Sequence, residues 1–309
     1  MKQDKSIIRG HLLMAGACAC WGLMAPLGKD AMTHGIPGIE MVTLRVTGAA
    51  LAFWTLSLFI KGENKTGNGF IGGVRKQDLK KLFGAAIFAI VLNQCNYTLG
   101  LSITSPLNAS IMTTTMPIIT MILAAIFLRE PITWMKLTGV LLGAGGAATL
   151  IMASAQGSYG SGVLLGDLLC IFAQCSYAIY LTAFKHIIEK YPVVTCMKWM
   201  MLFASLIILP FTLPYMIQLD WQNIPAKSYS EAAFVVFGGT FIAYIFCTSA
   251  QKILRPTVVA MYNYVQPIVS CIVSVILGLG IFGFSQGIAV ILVFSGVWLV
   301  NKSKSRISS

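Results

Sequence analysis

Asn93, Asn96 and Tyr97, with Gly100, fall at i, i+3, i+4 and i+7 and share one face of any helix they form. Amide and phenol groups donate and accept hydrogen bonds, so this face could hold a small molecule without reacting with it. Related sets recur along the chain. Trp21 and Cys18 stand three residues apart, as do Gln174 and Tyr177, with Tyr180 continuing the second set. Tyr262, Asn263 and Gln266 precede Pro267, Thr113, Thr114 and Thr115 precede Pro117, and Tyr244 lies mid-segment. All lie in apolar stretches, where a polar group is costly unless it finds a partner or lines a wet cavity. The expected substrate-binding residues are therefore Trp21, Asn93, Asn96, Tyr97, Thr113, Gln174, Tyr177, Tyr180, Tyr244, Tyr262, Asn263 and Gln266. Pro117 and Pro267 are expected to bend their helices and free carbonyls, as gating or permanent kinks. The competing reading of the amides and threonines is interhelical glue, worth about 0.6 kcal/mol on average.

Covalent chemistry has little to work with. His11, His34 and His186 lie near segment ends or in loops, and no H-E-x-x-H or G-x-S-x-G occurs. No catalytic residue, cofactor or metal site is expected. All eight cysteines sit in apolar segments without zinc or redox spacing and read as packing residues. Without a phosphate-binding loop, ATP-driven pumping has no support. Arg45 and Lys198 are the basic groups inside apolar segments. Arg45 lies about 12 Å deep at the helical rise, where a substrate carboxylate or a scaffolding partner would suit it, and Lys198 is close enough to an end to snorkel. Glu40, Asp30 and Asp167 lie near segment ends, so a coupling proton, substrate exchange and uniport all stay open.

The chain has 309 residues, 57% hydrophobic and 10% charged, against roughly 25% charged in soluble proteins. A bilayer-crossing helix needs about 20 mostly apolar residues. Ten segments qualify: 9–29, 37–60, 82–101, 106–128, 133–153, 163–184, 194–216, 232–251, 257–278 and 284–301. The longest interruption, Lys61 to Lys81, reads as a polar loop. Basic residues before an apolar run ending near Cys18 loosely resemble a lipoprotein signal, but the match of this run to the sixth segment argues for a retained helix. The net charge is +12. Threading the segments puts nearly all lysines and arginines on one side and only Lys29 and Lys227 on the other. The positive-inside rule then places both termini in the cytoplasm. No basic, aromatic-studded surface remains for nucleic acid.

The halves resemble each other. Pro106, Pro117, Ile103 and Ile118 recur 150 positions on as Pro256, Pro267, Ile253 and Ile268. Gly10, Leu12, Leu13, Ala17 and Lys29 recur 156 positions on as Gly166, Leu168, Leu169, Ala173 and Lys185. Five spans per copy is an odd number, so the second copy enters from the opposite face, as in transporters with inverted repeats. Gly100-Leu101-x4-Pro106-x10-Pro117, then Phe127-Leu128-Arg129-Glu130-Pro131-Ile132-Thr133 and Gly139-x3-Gly143, together with Trp21-Gly22, resemble the EamA-type branch of the drug/metabolite transporter superfamily. The resemblance covers both halves. It implies ten helices in two inverted five-helix units about a central cavity, and carriage of small organic metabolites, often outward. Glu130 departs from the symmetry, since its counterpart is Gly280. By itself Glu130 reads as a cap for the fifth helix, and Gly139 with Gly143 as a close helix contact.

The expectation is an all-α integral membrane protein of ten transmembrane helices, residues 1–153 and 154–309 forming two inverted five-helix repeats. It would act in a bacterial inner membrane as a secondary transporter, an exporter of small organic metabolites such as amino acids. Its partners would be a small-molecule substrate and the lipid bilayer, not nucleic acid, with the chain a monomer or homodimer. An intramembrane enzyme and a non-transporting sensor or assembly subunit are the alternatives.

Overall fold

The computed structural model of the chain describes residues 2–60, 70–104, 109, 112–154, 164–276 and 284–303. Apolar runs become helices, and prolines and glycines divide them. Helix α1 spans Lys2–Thr33 and α2 Gly38–Phe59, separated by Gly35 at φ +129° and by Pro37. α3 covers Lys76–Ile103, α4 Met116–Leu128 and α5 Trp134–Ser154. α6 covers Leu164–Ala183, α7 is the short Lys185–Lys190, and α8 Val193–Gln218 follows Pro192. α9, Ala226–Gln251, follows Pro225. α10 is Pro256–Met261, α11 Val265–Ile276 and α12 Phe284–Lys302. Among the described residues α1, α2, α3, α6, α8 and α9 are long and apolar enough to cross a bilayer, and Met116–Leu128 and Val290–Lys302 are shorter apolar helices.

Two local features depart from the sequence reading. The polar loop 61–81 contains a two-stranded hairpin, β1 Phe70–Ile71 and β2 Val74–Arg75, turned by Gly72 and Gly73 at φ +50° and +87°. It docks on α8, with Trp199 Nε1 donating to Gly72 O at 3.2 Å. α3 begins at Lys76, inside the expected loop, and its first turn carries an ion pair between the buried Asp78 and the exposed Lys190. Asp78 accepts from Lys190 Nζ at 2.5 Å and from the Tyr191 hydroxyl at 2.6 Å. The Asp78 bond raises the Lys190 pKa, and burial, then the same bond, raises that of Tyr191.

Helix pairing runs across the halves. α1 packs on α9 and α11, α6 on α3 and α4, α2 on α8, and α5 on α12. The last pair meets backbone to backbone: a Cβ on Gly139 would lie 2.8 Å from Gly296 O, and one on Gly296 2.5 Å from Gly139 O. Small residues permit the close approach that dispersion and weak contacts need inside a bilayer.

The helix cap expected of Glu130 is supplied instead by Thr133, whose hydroxyl accepts from Lys136 N at 3.2 Å. The Glu130 carboxylate pairs with the fully buried Lys136 at 2.9 Å and accepts from Thr257 Oγ1 at 3.1 Å, joining α4, α5 and α10. Lys198 is fully buried, its ammonium 5.1 Å from the Trp54 ring, within range of a cation–π contact.

Gly296→Ala is expected to destabilise the protein by about 1–3 kcal/mol through overpacking. Gly145→Ala, where a Cβ meets nothing within 4 Å, should leave thermal unfolding in detergent unchanged. Glu130→Ala, which strands the buried Lys136 ammonium, is expected to cost about 3–5 kcal/mol by the same measurement, and an unchanged melting temperature would show that the pair is not the staple described.

Candidate functional site

Two helices change their winding where the polar residues lie. α3 passes through a π-helical stretch, Ile87–Cys95, and α9 through another, Phe237–Ile242. Both begin at the same position of the 150-residue offset. A π turn widens the helix and turns carbonyls and side chains away from their α-helical directions, and such turns gather at functional sites. Here each stretch presents a carbonyl to an aromatic donor. Trp21 Nε1 donates to Gly239 O at 3.0 Å, and the Tyr244 hydroxyl donates to Ala89 O at 3.1 Å. Ala89 and Gly239 are also 150 residues apart.

The two helices that carry Pro117 and Pro267 change their winding just before the proline. Pro117 lies in the first turn of α4 after a turn at Thr114–Thr115, and Pro267 in the first turn of α11 after the 3₁₀ turn Tyr262–Tyr264. A proline there sacrifices no helical hydrogen bond, which is why a new helix starts on it. Pro106 lies outside the described residues.

These irregular stretches border a cavity of about 60 Å³, lined by Trp21, Met24, Arg45, Asn93, Gln94, Tyr97, Thr113, Met116, Gln174, Tyr177, Tyr244, Asn263 and Gln266. At about 10–15 Å³ per water it has room for roughly four. Trp21 stands edge-on to Tyr177 and to Tyr244, with ring centroids 6.3 and 6.1 Å apart. The Tyr177 hydroxyl lies 3.2 Å from Cys247 Sγ. Asn93 Nδ2 donates to Ala173 O at 2.9 Å. Gln266 Nε2 donates to Asn263 Oδ1 at 2.8 Å, and Asn263 in turn touches the Met116 sulfur, so the turns before the two prolines face each other.

Nine of the residues expected from sequence are thus brought together: Trp21, Asn93, Tyr97, Thr113, Gln174, Tyr177, Tyr244, Asn263 and Gln266. Three stand apart from the cavity lining. Asn96 turns its amide back to Leu92 O at 2.6 Å, since the π stretch ends at Cys95 and rotates residue 96 off the face predicted for it. Tyr180 is buried against Tyr177, ring centroids 5.3 Å apart, and Tyr262 meets His11 Nδ1 through its hydroxyl at 2.8 Å. The sequence reading passed over Met24, Gln94 and Met116. Met24 lies three residues beyond Trp21 and shares its face, a legible signal. Gln94, by contrast, is adjacent to Asn93 and off its i, i+3, i+4 face, and in the π-helical stretch both line the cavity. Arg45, left between ligand and scaffold, faces the cavity and is 4% exposed.

Among the described residues no group of three or more histidine, cysteine or acidic side chains could hold a metal. The described cysteines, Cys18, Cys20, Cys95, Cys170, Cys175, Cys196 and Cys247, are free thiols. The side chain of Cys271 lies outside the described part.

Apolar helices packed around an aromatic and amide-lined cavity define a polytopic membrane protein. Residues 8–152 and again 164–302 match the EamA-like transporter family, and the chain belongs to it. Similar proteins include an uncharacterized transporter of Archaeoglobus fulgidus, 30% identical over 45% of this chain and 48% of its own length. The uncharacterized transporters YyaM and YetK of Bacillus subtilis are 24% and 23% identical over 74% and 96% of this chain, and 76% and 87% of theirs. The chain thus spans about half the length of the archaeal relative and most of the other two. A crystal structure 14% identical in sequence superposes with a TM-score of 0.72 over 94% of this chain and 96% of its own, a likeness of fold. Family and relatives point to a small-molecule transporter working within a lipid bilayer rather than to an enzyme.

Trp21→Phe keeps the ring contacts but leaves Gly239 O without its indole donor. It is expected to cost about 1–3 kcal/mol in thermal unfolding of the detergent-solubilised protein, and no shift would remove this bond as a support of the cavity wall.

Proposed function

We propose that this chain is a secondary transporter that carries small organic metabolites by alternating access. The cavity is its substrate chamber, lined by Trp21, Asn93, Tyr97, Thr113, Gln174, Tyr177, Tyr244, Asn263 and Gln266. The observation that carries the reading is the convergence of these residues, drawn from both halves of the chain, on one cavity. Aromatic walls with a few amide and hydroxyl groups suit amino acids, aromatic metabolites or amphipathic drugs. Export is the direction that the family resemblance implies.

The scaffold is proposed to be ten spans in two inverted repeats, residues 1–153 and 154–309, with both termini cytoplasmic in a bacterial inner membrane. Three kinds of observation support it. The family matches the chain twice, at 8–152 and 164–302. Contacts between the halves come in exchanged pairs: a Cβ on Gly10 would meet Ile253 and Leu254 at 3.1 Å, and one on Gly166 would meet Ile103 and Thr104 at 2.9 Å. Likewise Asp78 meets Lys190 at one end, while at the equivalent positions Ser228 Oγ donates to His34 O at 3.1 Å. Contacts that exchange in this way are what a twofold axis between the halves produces, and an odd number of spans per half lays that axis in the membrane plane.

The proposed gates are two groups of polar contacts between helices. At one, Glu130, Lys136 and Thr257 join α4, α5 and α10. At the other, Lys227 pairs with Asp30 at 2.7 Å and Glu231 at 3.5 Å. Lys29 Nζ there donates to Leu101 O, Ser102 O and Thr104 O at 2.8 to 3.1 Å. Alternating access requires one set of contacts to part while the other holds, with the breaks before Pro117 and Pro267 as hinges.

The test is counterflow in proteoliposomes against a panel of amino acids, nucleosides and cationic drugs, with and without a proton gradient. Tyr177→Ala and Gln174→Leu are expected to cut exchange at least about tenfold while membrane insertion persists. Asn96→Ala, whose amide bonds within its own helix, should leave exchange intact. Unchanged flux in every cavity variant would dismiss the chamber, and no exchange of any compound would return the sensor or assembly reading.

A further inference from the structure

We infer that the substrate is an organic carboxylate whose anionic group is held by Arg45. The inference rests on the transport reading and names the chemical class that its chamber takes. Arg45 is the single charged residue lining the cavity, among neutral amides, hydroxyls, thioethers and aromatic rings. Its guanidinium has five N–H donors, of which two are engaged: Nη1 with Thr98 Oγ1 at 2.7 Å and Nε with Thr240 Oγ1 at 3.2 Å. Thr240 Oγ1 itself donates to Val235 O at 2.7 Å, so its lone pair is turned toward the arginine. The two threonines thus hold the guanidinium from α3 and α9, and neither neutralises it.

No ion pair of the described residues includes Arg45, although Lys136, Lys185, Lys190 and Lys227 each have a carboxylate. A buried cation without a counter-charge is expensive in a low-dielectric interior, and is kept where a ligand or pathway supplies the missing charge. A second, independent feature points the same way. Gln94 is 2% exposed and lines the same cavity beside the Tyr244 hydroxyl, yet neither its amide nitrogen nor its amide oxygen makes a hydrogen bond of normal geometry. Buried amides left unpaired in native proteins are rare. A carboxylate answers both deficits: one oxygen to the free guanidinium donors and one to the Gln94 nitrogen, with the Gln94 oxygen left for a neutral or ammonium donor on the same molecule. A single arginine matches one negative charge, whereas a phosphate dianion calls for several converging cations. Trp21, Tyr97 and Tyr244 then wall the apolar body of the ligand.

Binding to the purified full chain in detergent is measured by calorimetry and thermal shift with two isosteric sets: benzoate, benzamide and benzylammonium, and propionate, propionamide and propylammonium. The expected result is that at least one carboxylate binds tenfold or more tightly than its amide and its amine. Arg45→Gln should abolish that preference, and Arg45→Lys, which keeps the charge without the fork, should restore part of it. Should Arg45→Gln fail to fold, Gln94→Leu leaves Arg45 and its threonines in place and is expected to weaken carboxylate binding several-fold. Equal binding of amide or amine, carboxylate binding that survives both variants, or no carboxylate binding at all overturns the inference. Exchange of neutral or cationic solutes in the proteoliposome assay, with cavity variants inactive, would in that event leave the transport reading standing.

Discussion

A backbone carbonyl in the hydrocarbon layer must find a donor, and the cavity depends on how this chain meets that demand where its helices stop being regular. A uniform bundle of α-helices would satisfy its own backbone and leave little space between its members. Here α3 and α9 widen into π turns, and the stretches before Pro117 and Pro267 break. Trp21 and Tyr244 close two of the exposed carbonyls, and their rings become the cavity wall. Backbone irregularity, aromatic donor and empty space are one arrangement seen at three scales.

Equivalent positions carry different chemistry. Ala89 and Gly239 each accept from an aromatic side chain, but one donor is a phenol and the other an indole from a different helix. The threonine and methionine that precede Pro117 face the asparagine and glutamine that precede Pro267. Arg45 comes from the first half alone, gripped by Thr98 of its own half and Thr240 of the other. A scaffold with paired contacts therefore encloses a lopsided site, and a lopsided site can orient a small ligand.

Periodicity carried much of this in the sequence. Trp21, Tyr97, Thr113, Gln174, Tyr177, Asn263 and Gln266 meet in the cavity because each lies on a helical face whose direction residue spacing gives. Asn96 and Gln94 exchanged their expected places in and beside the π-helical stretch of α3, a period that no count at 3.6 residues per turn anticipates. The Glu130 carboxylate was legible as an odd feature near a helix start. Its partners Lys136 and Thr257, six and 127 positions away, were not, because an ion pair across helices leaves no local trace.

Composition and spacing alone determined that the chain is a membrane protein of apolar helices, written in two similar halves with polar faces turned inward. Those properties follow from hydrophobic length and period, which are local. Only the tertiary structure decided how the faces meet, which helices wind irregularly, and that Arg45 stands in the cavity without a carboxylate while Lys198 lies against Trp54. Pairing of charges, closure of carbonyls and the volume left between helices are set by distances between residues far apart in the chain, and sequence position does not encode those distances.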